Sequence, residues 1–175
     1  MGLSGDRTMP RRPENIVLPG PGQESVWDYP RPPAVKTDER LVRVVFAGEE
    51  VARSNRAIRV LETSHPPAFY IPPGDVLVEN LKPSRHVTFC EFKGQAIYFN
   101  IQVGDLLSKD AAWCYPEPRP GYEVITGCFS FYPARVDECT VGGKVVVPQT
   151  GGFYGGWITP DVVGPFKGDP GTMSW

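Results

Sequence analysis

The sequence contains no run of about 18 consecutive apolar residues, so no helical membrane span is expected. Its first residues, M-G-L-S-G-D-R-T-M-P-R-R-P, hold no apolar segment of the kind an export signal needs. They also lack the Ser or Thr at the sixth position that a myristoylation signal carries. A cytoplasmic location is therefore expected. Charge of one sign is missing as well. The chain has 18 Lys and Arg against 20 Asp and Glu, a formal net charge of −2. Nucleic-acid binding needs a basic face that neutralises phosphates, so no nucleic-acid partner is expected. Arg53, Arg56 and Arg59 recur every third residue, but their segment reads as strand, where that spacing does not give one face.

Metal-ligating types are scarce. There are two histidines, His65 and His86, and four cysteines, Cys90, Cys114, Cys128 and Cys139. No C-x-x-C pair occurs, whereas a tetrahedral structural zinc site usually takes two close pairs. No metal and no cofactor is expected. Without an export signal the thiols should be reduced, serving as small buried hydrophobes.

Proline and glycine are abundant instead, 20 and 19 among 175 residues, and they cluster toward the two ends. Residues 1–25 are expected to form a flexible N-terminal arm, too poor in apolar surface to offset the entropy of ordering it. Residues 26–147 read as a single β-domain. Residues 148–175 form a Gly/aromatic-rich extension. Its Phe153, Tyr154, Trp157, Ile158, Val162, Val163, Phe166 and Trp175 are too apolar for a solvated linker. It is expected to pack on the domain or on a partner, which offers a route to a homodimer.

Inside the domain, V-W-D-Y-P-R-P-P (residues 26–33) reads as an extended strap, because a residue before proline is pushed toward extended geometry. L-V-R-V-V-F-A and the V-A-R-S-N-R that follows A-G-E-E form a hairpin. Residues 57–61 and 68–72 are further strands. Residues 86–92 and 95–103 flank Lys93-Gly94 as a second hairpin. Residues 104–110 read as a polar loop, and a strand resumes at residues 111–115. Val124-Ile125 and residues 128–132 read as strand with a bulge at Gly127, and the last strand candidate, residues 140–147, is broken by Gly142-Gly143. One short helix is expected near residues 73–81. Asp75 would lie at its start, and Leu77, Val78 and Leu81 would give it an apolar side. The fold class that follows is mainly β with antiparallel sheets.

Three ordered motifs carry a family resemblance: F-Y-I-P-P-x-D-V (residues 69–76), C-x-F-K-G-x-A-x-Y (residues 90–98), and A-x-W-x-Y-P-x-P with a following F-Y-x-x-x-V-D (residues 111–137). Together they resemble the domain-of-unknown-function family 427, which also carries a nucleotidyltransferase-like label. The resemblance covers roughly residues 26–141. It implies a β-tent or rolled-sheet arrangement. The zinc bound by many β-tent relatives does not carry over, because the paired cysteines are missing here. No phosphate-cradling Gly-rich loop opens a helix, so the nucleotidyltransferase label is taken as nominal. The C-terminal G-G-F-Y-G-G-W stretch looks like an extension shared by a bacterial subset of that family.

The resemblance frames the site candidates. Arg53, Tyr70, Lys93, Tyr98, Trp113, Tyr115 and Tyr132 are candidate ligand-binding residues. Aromatic walls with a few placed polar groups are what small-ligand sites look like, and an arginine can grip a carboxylate or phosphate with two hydrogen bonds. Asp75 and Glu62 are the candidate acid/base groups. The competing structural reading has Arg53 and Glu62 as a cross-strand ion pair, the aromatics as core and Lys93 as a solvated turn residue. Cys114 alternates with Trp113 and Tyr115 and should face away from them. Three function classes stand open. The chain binds a small polar or anionic metabolite in an aromatic-lined cleft; or it is a transferase- or hydrolase-type enzyme using Asp75 or Glu62; or it is a structural module dimerising through its C-terminal extension.

Overall fold

Strand-forming runs alternate with turn residues throughout residues 9–175, the part of the chain that the computed structural model describes. In chain order the strands are β1 (Glu24–Ser25), β2 (Ala34–Asp38), β3 (Val42–Phe46), β4 (Glu49–Ser54), β5 (Ala57–Leu61), β6 (Ala68–Tyr70), β7 (Leu81–Cys90), β8 (Gly94–Val103), β9 (Leu106–Cys114), β10 (Phe129–Phe131), β11 (Glu138–Val141), β12 (Lys144–Val145), β13 (Val147–Pro148), β14 (Trp157–Ile158) and β15 (Val162–Val163). Helical structure among the described residues is limited to single 3-10 turns. The fold is mainly β with antiparallel sheets, as the sequence led us to expect, and no barrel closes among the described residues.

Three sheets carry the architecture, with strand orders β12-β11-β3-β4, β10-β9-β8-β7 and β2-β5-β6. The β3–β4 hairpin turns through Ala47 and Gly48, both at positive φ (52° and 77°), the turn geometry that matches strand twist. The polar stretch at residues 104–110 is mostly strand rather than loop. Gly104 (φ 56°) and Asp105 alone make the reversal, so Leu106 already pairs with Val103 and Ser108 with Ile101. The strand expected at Val124-Ile125 is instead the 3-10 turn Glu123–Ile125, which feeds β10.

The helix expected near residues 73–81 is present only as two 3-10 turns, Pro73–Asp75 and Val78–Asn80. Between them Val76 is extended (φ −121°, ψ 138°) and bridges Ala52, while the Leu77 N–H donates to the Val51 carbonyl. The backbone that would propagate the helix is taken by β4.

Alternation along the middle sheet splits the interior in two. Ala112 and Cys114 of β9, Ile101 of β8 and Phe129 and Phe131 of β10 face the β3–β4–β11 sheet, in a core that also holds Phe69, Ile71 and Trp157. Trp113 of β9, Tyr115 just beyond its end and Tyr98 of β8 face the β2–β5–β6 sheet, with Val60 and Tyr70 opposite. Cys114 and its two aromatic neighbours thus point to opposite sides, because successive strand residues do.

The N-terminal segment from residue 9 and the C-terminal extension meet on this frame. Trp157 is fully buried, stacks on Phe69 (ring centroids 4.9 Å apart) and donates its indole N–H to the Phe131 carbonyl. Of the arm expected over residues 1–25, residues 1–8 lie outside the described residues. Val17 N–H donates to the Gly164 carbonyl, and β1 pairs in parallel with β15. Trp27 meets Trp175 edge-on at 5.0 Å.

Candidate functional site

The second of these faces is not filled to the surface. Strands β5 and β6, the β7–β8 turn and the C-terminal extension enclose a hollow of about 450 Å³ over the aromatic face of β8 and β9. That volume lies in the range of about 300–1,000 Å³ typical of small-molecule sites.

The hollow gathers most of the residues picked out by the sequence. Tyr70, Tyr98, Trp113, Tyr115 and Tyr132 form its floor and walls, and Lys93 and Glu62 stand at its polar end. Arg53 and Asp75 are elsewhere. The Arg53 guanidinium lies 3.3 Å from Glu50 at the exposed face of β4. Glu62 pairs instead with Arg31, so the Arg53–Glu62 pair of the competing structural reading does not form. Asp75 accepts hydrogen bonds from the Ser54 hydroxyl (2.6 Å) and the Arg56 guanidinium (2.8 and 3.2 Å). Those bonds, Arg56 first, hold its carboxyl below the usual range. Asp75 therefore closes a local ion pair and lines no part of the hollow. Neither residue was separable from the true lining by sequence: both sit in strand-and-turn segments whose side-chain direction depends on register.

Four further polar residues complete the site. Arg31, from the proline-rich strap, donates from Nη2 to Glu62 Oε2 (3.1 Å) and to the Thr63 carbonyl (3.0 Å). His65 places Nε2 3.4 Å from the same Glu62 oxygen. Gln149 lies behind it: its Oε1 accepts the Gly156 N–H (3.0 Å), and its Nε2 donates to the Lys167 carbonyl (2.7 Å) and reaches His65 Nδ1 at 3.3 Å. Since Gly156 fixes which end of the amide is oxygen, Nδ1 is the acceptor and the ring proton sits on Nε2, facing Glu62. Burial, then the charges of Lys167 and Arg31, push the His65 pKa down to about 3, so the ring is neutral. Lys167, the fourth, donates to the Trp175 carbonyl and lies 5.3 Å from the Tyr154 ring.

Three hydroxyls of the tyrosine wall are held by neighbouring groups. Trp113 donates to the Tyr70 hydroxyl (3.2 Å), Tyr98 shares a hydrogen bond with Thr88 (2.9 Å), and Tyr132 donates to the Phe153 carbonyl (2.8 Å). Burial raises the pKa of Tyr70, Tyr115 and Tyr132, so these hydroxyls stay neutral. Gly155 lies flat on Trp113. A Cβ there would come within 2.3 Å of the indole, so only glycine lets the extension close against the wall. Cys90 lines the hollow half-buried, while Cys114, Cys128 and Cys139 are buried and all four thiols are free. Among the described residues no group of three or more His, Cys, Asp or Glu side chains is placed to hold a metal ion. No helix among them is long and apolar enough to cross a membrane.

Chemically, the arrangement offers the ammonium groups of Lys93 and Lys167, the carboxylate of Glu62 pinned by a guanidinium and a neutral imidazole, the carboxylate of Glu91, and a broad aromatic surface. No curated protein matches the chain. A family described as a domain of unknown function (DUF427) matches residues 34–142, more than half of the sequence and the segment that supplies β2 to β11. The chain belongs to the DUF427 family of domains of unknown function.

Proposed function

We propose that this protein binds a small anionic or polar metabolite in the aromatic-lined hollow. The observation that carries the reading is Lys93. Its ammonium lies 5.6 Å from the Tyr115 ring centre, within the hollow, and no carboxylate pairs with it among the described residues. An ammonium in a half-buried aromatic site, without its own counter-ion, is suited to receive one from a ligand. The free thiols support a reducing, cytoplasmic setting.

A thermal-shift screen with paired anionic and neutral metabolites tests this. A binder present at 100 times its Kd stabilises the native state by about 2.7 kcal/mol, a shift of several degrees for a domain of this size. The expected hits are anions carrying an aromatic or apolar group. A screen in which anions shift the melting temperature no more than their neutral analogues overturns the reading.

A second reading, an enzyme with Glu62 as acid or base, is supported by the Glu62–His65–Gln149 series inside the same hollow. A general base must lie within hydrogen-bond reach of the proton it moves, and Glu62 borders the space a ligand would fill. Glu62→Gln separates the two readings: a pure binding site keeps its anion affinity and has no turnover to lose, whereas an enzyme loses turnover of the hit compound. Asp75, committed to Arg56 and Ser54, has no part in either reading.

A further inference from the structure

Most polar groups around the hollow are already held by hydrogen bonds within the protein. Arg31 donates to Glu62 and to the Thr63 carbonyl, and Lys167 to the Trp175 carbonyl. The Gln149 amide is engaged through both of its ends. His65 faces Gln149 with one nitrogen and Glu62 with the other. Beside the orphaned Arg31 Nε and the further N–H groups of Lys167, two capacities face the hollow. One is the Lys93 ammonium, with three N–H donors, 5.6 Å from the centre of the Tyr115 ring and in no ion pair among the described residues. The other is Oε1 of Glu62. Arg31 and His65 both address Oε2, and among the described residues no donor reaches Oε1.

These two groups border one cavity and do not neutralise each other by contact, since no ion pair joins them among the described residues. Glu62 is nevertheless near enough for its charge to act on the Lys93 ammonium. Arg31 pairs directly with Glu62 at Oε2, which leaves Oε1 as the oxygen open to accept a hydrogen bond. A molecule satisfying both groups must bring an anionic acceptor and a hydrogen donor a short distance apart. The remaining surface it meets is aromatic: Tyr70, Tyr98, Trp113, Tyr115 and Tyr132.

We infer that the ligand is bifunctional: an amino or hydroxy carboxylic acid with an aryl or comparably flat apolar side chain, its carboxylate on Lys93 and its ammonium or hydroxyl on Glu62 Oε1. This rests on the binding reading above and narrows it. A simple anion fills half of the site. A neutral amine or alcohol fills the other half and leaves Lys93 uncompensated.

Four probes sharing one aryl group test it by calorimetry on the full-length protein: 3-phenylpropanoate (anion only), 3-phenyllactate (anion and hydroxyl), phenylalanine (anion and ammonium) and 2-phenylethanol (hydroxyl only). The expected result is that phenyllactate or phenylalanine binds at least about tenfold more tightly than phenylpropanoate, the low end of the value of a hydrogen bond to a charged group. Glu62→Gln should shrink the advantage of phenylalanine while leaving phenylpropanoate affinity in place. If that variant fails to fold, the wild-type series decides alone. Equal affinity of phenylpropanoate and the two bifunctional acids overturns the inference and leaves the anion-binding reading standing. Binding of none of the acids at millimolar concentration overturns the inference too, and the broader anion screen then decides the binding reading separately.

Discussion

Gln149 reaches Nδ1 of His65 at 3.3 Å, across 84 residues of sequence, and so ties the C-terminal extension to the wall of the hollow. Through that contact the extension sets the tautomer of the one histidine that faces the site.

The neutral state of His65 has a pH signature. In the folded chain its pKa is pushed down to about 3. In the unfolded chain it takes a proton near the ordinary value of about 6.5. Between those values the unfolded state holds more protons, so stability falls as pH is lowered through 6.5 and is fully retained above it. From pH 7 to pH 5 this one residue should cost about 2 kcal/mol of unfolding free energy. Urea unfolding at both pH values should show that loss in the wild type and a smaller one in His65→Gln. An identical loss in both proteins would show that the imidazole is not held neutral.

Gly155 should not tolerate even one methyl group. Its added Cβ would meet the Trp113 ring at 2.3 and 2.8 Å and Tyr132 at 3.2 Å. Gly155→Ala is expected to cost about 1–3 kcal/mol through overpacking. It should also change the tryptophan fluorescence and weaken any ligand of the hollow. Unchanged stability and spectrum would mean that the extension does not rest on Trp113.

Trp157 makes the extension part of the core. Trp157→Phe keeps the stack on Phe69 but removes the indole donor to the buried Phe131 carbonyl. Leaving that acceptor unpaired should cost about 1–3 kcal/mol, and Trp157→Ala should cost about 3–5 kcal/mol by opening a cavity. Denaturant midpoints check both, and a loss below about 0.5 kcal/mol for the alanine variant would contradict the burial of the extension.

Asp75 serves as a control that sequence reasoning would have placed in the site. Its ion pair with Arg56 is largely exposed on the arginine side. Asp75→Asn should therefore cost no more than about 1 kcal/mol and leave the affinity of every hollow ligand unchanged. Altered ligand affinity in that variant would relocate the site.

What was legible in the sequence was local. The Ala47-Gly48 and Lys93-Gly94 turns announced their hairpins, and the alternation of Trp113, Cys114 and Tyr115 announced which side chains share a face. The aromatic wall followed from that periodicity and the family motifs. What escaped was set by packing between distant segments. Arg53 and Arg31 are both arginines near β-branched or aromatic residues; only the position of the proline strap beside Thr63 gives Arg31, not Arg53, to Glu62. His65 precedes Pro66-Pro67 and reads as a loop residue, yet Gln149 and Tyr154 from the extension bury it. Asp75 resembled a helix start because Pro72, Pro73 and Gly74 precede it; the competing bridge from Val76 to Ala52 is invisible in the local sequence.

The central claim is that Lys93 awaits an anion in an aromatic hollow. It is tested most directly by titrating 3-phenyllactate into the wild type and Lys93→Met, with melting temperature confirming that both are folded. The account predicts saturable binding to the wild type and an affinity at least about tenfold lower in the variant, the loss of one charge-assisted hydrogen bond. Binding of equal affinity in the two proteins would contradict it.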